Sequence, residues 1–161
     1  MPHFRRNKAG LILNISSGAG IFTLPMLSLY CASKFALEGF SEALSYELTS
    51  QNIAVKIIEP GGITNTKFEQ RIGSEAVENS AAISDYDRFV AHTNAVFEGL
   101  RDVRQATEED VAKVIYQAAI DGTDCLRYVP TEDIKPMVKA RQETSEDEYI
   151  AFMRTRFATK V

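Results

Sequence analysis

Two short apolar runs with a helical stretch between them constrain the fold of this chain more than any other feature. The first run is residues 10–15 (GLILNI) and the second is residues 53–58 (IAVKII). Each is nearly continuous and bounded by turn or polar residues, which is typical of a strand buried on both faces. Strand, helix and strand in this order predict a right-handed parallel crossover. The sequence therefore predicts an α/β fold built on a parallel sheet.

The segment between the two runs reads as one long helix, from Ser28 to about Ser50. Ser28 is the expected N-cap, because its hydroxyl can accept a hydrogen bond from a free N–H of the first turn. Apolar residues recur at steps of three and four, the spacing of a single helical face. They are Ala32, Ala36, Phe40, Ala43 and Leu48.

Tyr30 and Lys34 lie one turn apart on this predicted helix and so face the same side. Alone the spacing proves little, since an exposed amphipathic turn has it too. Ser17 follows the first apolar run and Pro60 follows the second, at the sheet edge where open α/β folds bind ligands. A phenol near an ammonium is a tunable acid/base, because the positive charge favours the phenolate. Ser17 can donate a hydrogen bond to a substrate oxygen.

Composition and charge exclude several classes of protein. The chain has 161 residues, 45% of them apolar and 25% charged, with a net charge of -4 and no basic block. These values fit one globular domain and argue against a nucleic-acid binder. Cys31 and Cys125 suit reduced thiols in a cytoplasmic protein, and His3 and His92 are too isolated for a metal cluster. No run is long enough for a membrane helix.

The remainder of the chain alternates weaker and stronger signals. Residues 64–104 carry scattered aromatics, so we expect them to cover a substrate pocket, with a solvated helix pair as the open alternative. A helix is predicted from Thr107, whose hydroxyl precedes three acids, to about Gly122. Residues 126–129 predict a third strand. Residues 134–141 and 145–157 predict two more helices, the second capped by Ser145.

Three motifs together resemble the short-chain dehydrogenase/reductase family. Residues 14–18 read NISSG, residues 30–36 read YCASKFA and residues 60–63 read PGGI. In order and spacing they are similar to the family's catalytic serine segment, its Tyr-x-x-x-Lys helix and its Pro-Gly turn. The resemblance covers residues 4–66 strongly and the remainder loosely. It implies a Rossmann-like doubly wound parallel sheet with flanking helices, of which this chain carries the carboxyl-terminal half.

The resemblance also implies an activity. It indicates an NAD(P)-dependent oxidoreductase that transfers a hydride between the nicotinamide cofactor and a small carbonyl or alcohol substrate. Ser17, Tyr30 and Lys34 are then the catalytic residues, Ser17 being preferred to Ser16 by its spacing to the tyrosine. The residues expected to contact NAD or NADP are Tyr30, Lys34, Pro60, Gly61, Ile63 and Asn65. Where the family commonly has a threonine, Asn65 stands between two threonines, so the residue that meets the cofactor there is open.

One departure from the family pattern is larger. The family's glycine-rich Gly-x-x-x-Gly-x-Gly loop precedes its serine segment by many residues, whereas only sixteen residues precede Ser17 and no such cluster occurs. We therefore expect residues 1–161 to be the carboxyl-terminal part of one cofactor-binding domain, inactive as a fragment and homo-oligomeric when complete. A non-catalytic interaction protein that retains the family's assembly helix is the alternative. Substrate, reaction direction and the choice between NAD and NADP stay open.

Overall fold

A three-stranded parallel sheet lies at the centre of the computed structural model, which describes residues 1–64, 66–67, 84–102 and 106–159. The strands are β1 (Gly10–Ile15), β2 (Ile53–Ile58) and β3 (Arg127–Tyr128). Their order is β1-β2-β3, and β1 pairs with β2 along its whole length, from Gly10 opposite Ile53 to Ile15 opposite Ile58. The predicted α/β class and parallel crossover are confirmed, and the third strand is shorter than predicted.

Six helices accompany the sheet in the described part of the chain. They are α1 (Pro2–Asn7), α2 (Ser28–Leu48), α3 (Asp87–Asp102), α4 (Glu108–Ile120), α5 (Lys135–Glu143) and α6 (Glu146–Phe157). Short 3₁₀ turns occupy Gly18–Gly20, Thr49–Gln51 and Ser84–Tyr86. None of the described helices is long and apolar enough to cross a membrane.

The helix ends test the capping predictions. Thr107 and Ser145 both form capping boxes, with Asp110 and Glu148 respectively, as the sequence predicts. The prediction for α2 is wrong by one residue. Leu27 is its N-cap and no side chain caps it, so Ser28 is already the first helical residue.

The face that α2 turns inward also differs from its apolar pattern. Ala32, Ala36, Phe40 and Ala43 share one face as predicted, but all four are exposed. Glu38 and Ser41 are buried instead, at 6% and 0% exposure. Polar groups of the sheet lie opposite them, and the Asn14 amide donates a hydrogen bond to the Ser41 hydroxyl at 2.8 Å. The inward face of α2 is therefore partly polar because its partners are polar.

Helices cover both faces of β2. Leu48 of α2 packs with Ile53 and Val55 on one face. On the other, Lys56 donates a hydrogen bond to the Ala118 carbonyl of α4 at 2.8 Å, because alternate residues of a strand point to opposite faces. A second apolar cluster, mainly from α5 and α6, packs beside the loop after β1 and consists of Phe22, Ile134, Met137, Val138, Ala140, Tyr149, Met153 and Phe157.

Candidate functional site

The chain segments that follow β1 and β2 lie side by side at the carboxyl edge of the sheet. Ser16 donates its N–H to the Ile58 carbonyl at 2.7 Å, and Gly18 donates to the Pro60 carbonyl at 2.9 Å. The Ser17 hydroxyl also reaches the Pro60 carbonyl, at 3.5 Å. The strand pairing is thus extended by two backbone hydrogen bonds, which bring the serine segment against the Pro-Gly turn.

The first two turns of α2 bring Tyr30 and Lys34 to the same edge. The Lys34 Nζ atom lies 5.6 Å from the centroid of the Tyr30 ring and donates a hydrogen bond to the Ile15 carbonyl at 3.2 Å. The Tyr30 hydroxyl forms a hydrogen bond with Ser17. The structure therefore brings Ser17, Tyr30 and Lys34 together at the end of β1.

The electrostatics of this group differ from the simple expectation of a lowered tyrosine pKa. Burial raises the pKa of Tyr30, and its hydrogen bond with Ser17 opposes that effect only in part. Burial likewise lowers the pKa of Lys34, while the negative charge of Glu38 raises it. Tyr30 is consequently a neutral phenol at neutral pH, which is the form that can donate a proton.

The Pro-Gly turn is held from below by the loop that follows β3. Gly61 donates its N–H to the Thr131 hydroxyl at 2.9 Å, and Gly62 donates to the Asp133 carboxylate at 2.8 Å. A Cβ at Gly61 would lie 2.6 Å from both of these side chains, so only glycine allows this approach. Ile63 pairs with Ala106 in a single parallel bridge. The turn is therefore fixed at its first two amides by the chain's own side chains.

Some predicted site residues lie outside the described chain, and some described residues were not predicted. Asn65 falls in the first group, as does much of the expected substrate-covering segment. Thr131 and Asp133 fall in the second, and their distance in sequence from the turn gave no signal. Glu38 did have a signal in the sequence, because it lies four residues after Lys34 and therefore on the same face of the helix. Among the described residues, no cluster of His, Cys, Asp and Glu is arranged to hold a metal ion.

Comparison with known proteins finds related oxidoreductases. Residues 1–77 match the family model described as short chain dehydrogenase. An uncharacterised oxidoreductase of Schizosaccharomyces pombe is 35% identical over 155 residues, covering 95% of this chain and 62% of the relative. Human 17-beta-hydroxysteroid dehydrogenase type 1 is 34% identical over 158 residues, covering 95% of this chain and 47% of the relative. The chain thus spans less than two thirds of either relative.

Solved structures share the fold at lower identity. A short-chain dehydrogenase from Streptomyces avermitilis superimposes with a TM-score of 0.63 at 21% identity, covering 96% of this chain and 54% of that one. A gluconate 5-dehydrogenase from Burkholderia cenocepacia, solved with NADP and tartrate, gives 0.55 at 20% identity over 80% and 46%. An NAD⁺-bound xylitol dehydrogenase gives 0.58 at 20% identity over 81% and 51%. At these identities the likeness shows the fold alone.

Proposed function

This chain belongs to the short-chain dehydrogenase family, and on that premise we propose that the whole protein is an NAD(P)-dependent oxidoreductase. It interconverts a small carbonyl compound and the corresponding alcohol. One observation carries the proposal: Ser17, Tyr30 and Lys34 meet at the carboxyl end of β1, with Ser17 hydrogen-bonded to Tyr30. A proton donor, an orienting hydroxyl and a cation are the groups that such a reaction needs from the protein.

Each residue takes one part of the chemistry. Lys34, Pro60, Gly61 and Ile63 would hold the nicotinamide end of a dinucleotide, which would supply the hydride transfer to or from the substrate carbon. Tyr30 gives its hydroxyl proton to the carbonyl oxygen as the alcohol forms, and takes it back in the reverse direction. Ser17 holds that oxygen by a hydrogen bond. The ammonium of Lys34 favours the phenolate that Tyr30 becomes after the transfer.

The residues at this edge fit the nicotinamide and ribose end of a dinucleotide. Thr64 donates its N–H to the Ala106 carbonyl at 3.1 Å. Successive N–H groups of extended backbone point to opposite sides, so the N–H of Ile63 points away from Ala106 and can donate a hydrogen bond to an amide oxygen. Lys34 would bind ribose hydroxyls, and Pro60 and Gly61 would contact the nicotinamide. NAD and NADP are both compatible with these groups.

The test of the function is Tyr30→Phe in a version of the protein that carries a glycine-rich dinucleotide loop. We expect turnover with a panel of carbonyl substrates and NADH or NADPH to fall by roughly a thousandfold, with unchanged thermal stability. Tyr46→Phe is the matched control, because Tyr46 lies on the same helix but is 71% exposed. Turnover of Tyr30→Phe within tenfold of wild type would refute the assignment.

We also propose that the 161 residues by themselves are inactive and bind cofactor weakly. A dinucleotide pyrophosphate is normally held by a glycine-rich turn and a helix N-terminus, and the sequence has no Gly-x-x-x-Gly-x-Gly cluster. Fluorescence titration with NADH and NADPH should give millimolar binding or none. Saturation at low micromolar concentration would contradict this part of the proposal.

A second candidate function is a non-catalytic interaction protein that assembles through α2. The observation in its favour is the exposed apolar face of that helix, where Leu29 is 86% and Phe40 59% exposed. We expect the complete protein to form homo-oligomers, and a monodisperse monomer of the complete protein by light scattering at micromolar concentration would contradict this. In-frame coding sequence for a glycine-rich loop upstream of Met1 separates the two candidates. The free thiols of Cys31 and Cys125 suit a cytoplasmic location under either.

A further inference from the structure

A cluster of charged side chains lies between α2 and the sheet. It begins one helical turn after Lys34, next to the group formed by Ser17, Tyr30 and Lys34. Arg127 of β3 reaches across the sheet, and its Nε atom lies 3.1 Å from Glu38 Oε2 and 3.4 Å from Glu59 Oε1. Its other end binds Glu42, one turn further along α2. Glu59 directly follows β2 and precedes Pro60, so the cluster connects β2 and β3 to the long helix.

The two inner carboxyl groups are buried without enough donors. Glu59 is 0% and Glu38 6% exposed. Among the described residues, Glu38 Oε1 and both Glu59 oxygens lack a hydrogen-bond partner. Two ionised carboxylates in this position would repel each other and leave lone pairs unsatisfied, which is costly in a buried site. A single proton on one of them supplies a donor and removes the repulsion.

The environment decides which carboxyl group holds the proton. Burial, followed by the negative charge of Glu38, raises the pKa of Glu59 to about 8, and Arg127 offsets this only in part. A proton on Glu59 would also give it a donor for the neighbouring Glu38 carboxyl group, which favours the protonated form further. Glu38 has the closer contact with Arg127 and so carries the negative charge. Glu59 is then the donor and Glu38 the acceptor.

Glu38 is tied to the site above it through the helix. Its charge raises the pKa of Lys34, against the lowering caused by burial. The same part of α2 packs on the 3₁₀ turn after Ser17. A Cβ at Gly20 would lie 2.9 Å from Glu38 Cγ and 3.2 Å from the Lys34 carbonyl oxygen. Gly20 therefore packs against α2 at the turn that joins Lys34 to Glu38.

We propose that Glu38 and Glu59 share one proton under the clamp of Arg127, and that this buried acid pair is a positioning unit that holds Lys34 as an ammonium beside Tyr30. The other charged groups nearby have separate partners. Glu42 binds the outer side of Arg127, Asp133 accepts from the Gly62 N–H, and Lys56 points to the opposite face of β2. What Lys34 does in turnover rests on the proposed function, whereas the shared proton does not.

Infrared spectroscopy of the 161-residue chain tests the proton. A protonated carboxyl group has a C=O band that an ionised one lacks, so we expect this band from wild type at pH 6.5 and its loss as the pH rises past about 8. Glu59→Gln, which mimics the protonated acid, should fold and lack the band. Glu47→Gln, an exposed change on the same helix, should keep it. Absence of the band in wild type, or its persistence in Glu59→Gln, would overturn the proposal.

Side-chain NMR of Lys34 tests the positioning. Glu38→Gln removes the charge that supports the ammonium, so the pKa of Lys34 should fall. It should stay unchanged in Glu59→Gln and Glu47→Gln, both of which leave Glu38 ionised. An unchanged Lys34 pKa in Glu38→Gln would contradict the positioning role. Neither experiment uses substrate or cofactor, so both can succeed even if the proposed oxidoreductase function is wrong. In that case the infrared band and the change in the Lys34 pKa would be observed, but the complete protein would show no turnover.

Discussion

The two faces of β2 hold buried charge in opposite ways. On the face toward α4, Lys56 is 3% exposed and forms an ion pair with Asp121. Asp121 also accepts hydrogen bonds from the Tyr128 hydroxyl at 2.6 Å and from the Thr123 N–H at 2.9 Å. On the face toward α2, Glu59 is buried with oxygens that lack donors. The cluster around Lys56 and Asp121 has a partner for each charge, whereas the cluster around Glu59 has too few hydrogen-bond donors.

The pKa directions follow from this difference. The hydrogen bond from Lys56, assisted by Tyr128, holds the pKa of Asp121 well below its ordinary value. Burial raises the pKa of Glu59 to about 8. The carboxyl group is thus balanced by a cation on one face of β2 and by a proton on the other. The ion pair of Lys56 and Asp121 connects α4 to the sheet and keeps its charges at neutral pH. The protonation of Glu59 can change near pH 8, and Glu59 lies close to the proposed acid/base.

Breaking the paired face should have the largest effect on stability. Asp121→Ala leaves the buried ammonium of Lys56 with the Ala118 carbonyl and the Tyr128 ring but without a carboxylate partner, and uncompensated buried charges are strongly destabilising. We expect the melting temperature to fall by about 10 °C, measured by circular dichroism. Asp124→Ala is the control, since Asp124 is exposed in the same loop. Equal melting temperatures for the two variants would show that the ion pair contributes nothing.

Removing the clamp on the other face should have an intermediate effect. Arg127→Met keeps an apolar stem of similar length but leaves Glu38 and Glu42 without their cation. Because the proton on Glu59 still separates the two inner carboxyl groups, we expect a loss of only about 5 °C in melting temperature. Arg6→Met, an exposed change on α1, is the control. A loss as large as that of Asp121→Ala would mean that neither carboxyl group retains a proton.

The outer member of the same cluster should contribute least. Glu42 binds Arg127 but its side chain is 40% exposed, and exposed ion pairs contribute little because water competes for both charges. Glu42→Gln should change the free energy of unfolding by no more than about 0.5 kcal/mol. Urea unfolding at pH 7 measures it. A larger loss would mean that Glu42, and not Glu59, is the carboxyl group of this cluster that matters most for stability.

Much of the fold could be predicted because its signals are local. The apolar runs of β1 and β2, and the capping boxes at Thr107 and Ser145, each depend on residues within a few positions. The inward face of α2 could not be predicted this way. Glu38 is buried because Arg127 reaches it from 89 positions away in the sequence, and the exposed alanines of α2 have the spacing of a core stripe. Periodicity does not reveal such distant polar partners.

In the candidate site, too, the residues with local sequence signals could be predicted and those with distant partners could not. Ser17, Tyr30 and Lys34 could be singled out because each follows directly from a strand end or a helical turn. Thr131 and Asp133 could not, since they reach the Pro-Gly turn from 70 and 71 positions away. Tyr30, Lys34 and Glu38 follow one another at i, i+4 spacing, so the sequence alone places all three on one face of the helix. The spacing alone does not single out Glu38, because a glutamate on a helix is usually solvated.

The most direct test of the contrast between the two faces is the free energy of unfolding as a function of pH. The pKa of Glu59 is raised in the folded chain, so its contribution is full below its unfolded value and is lost as the pH rises to about 8. Asp121 has a lowered pKa, so its contribution is present above its unfolded value and is lost as the pH falls.

We therefore predict that wild type loses stability relative to Glu59→Gln by about 1.4 kcal/mol per pH unit between roughly pH 4.5 and pH 8. Relative to Asp121→Asn, wild type should instead lose its advantage only in acid. Urea unfolding curves for the three chains from about pH 2 to pH 8 would measure both effects. Parallel curves for wild type and Glu59→Gln would contradict the account, because they would mean that Glu59 holds no extra proton in the folded chain.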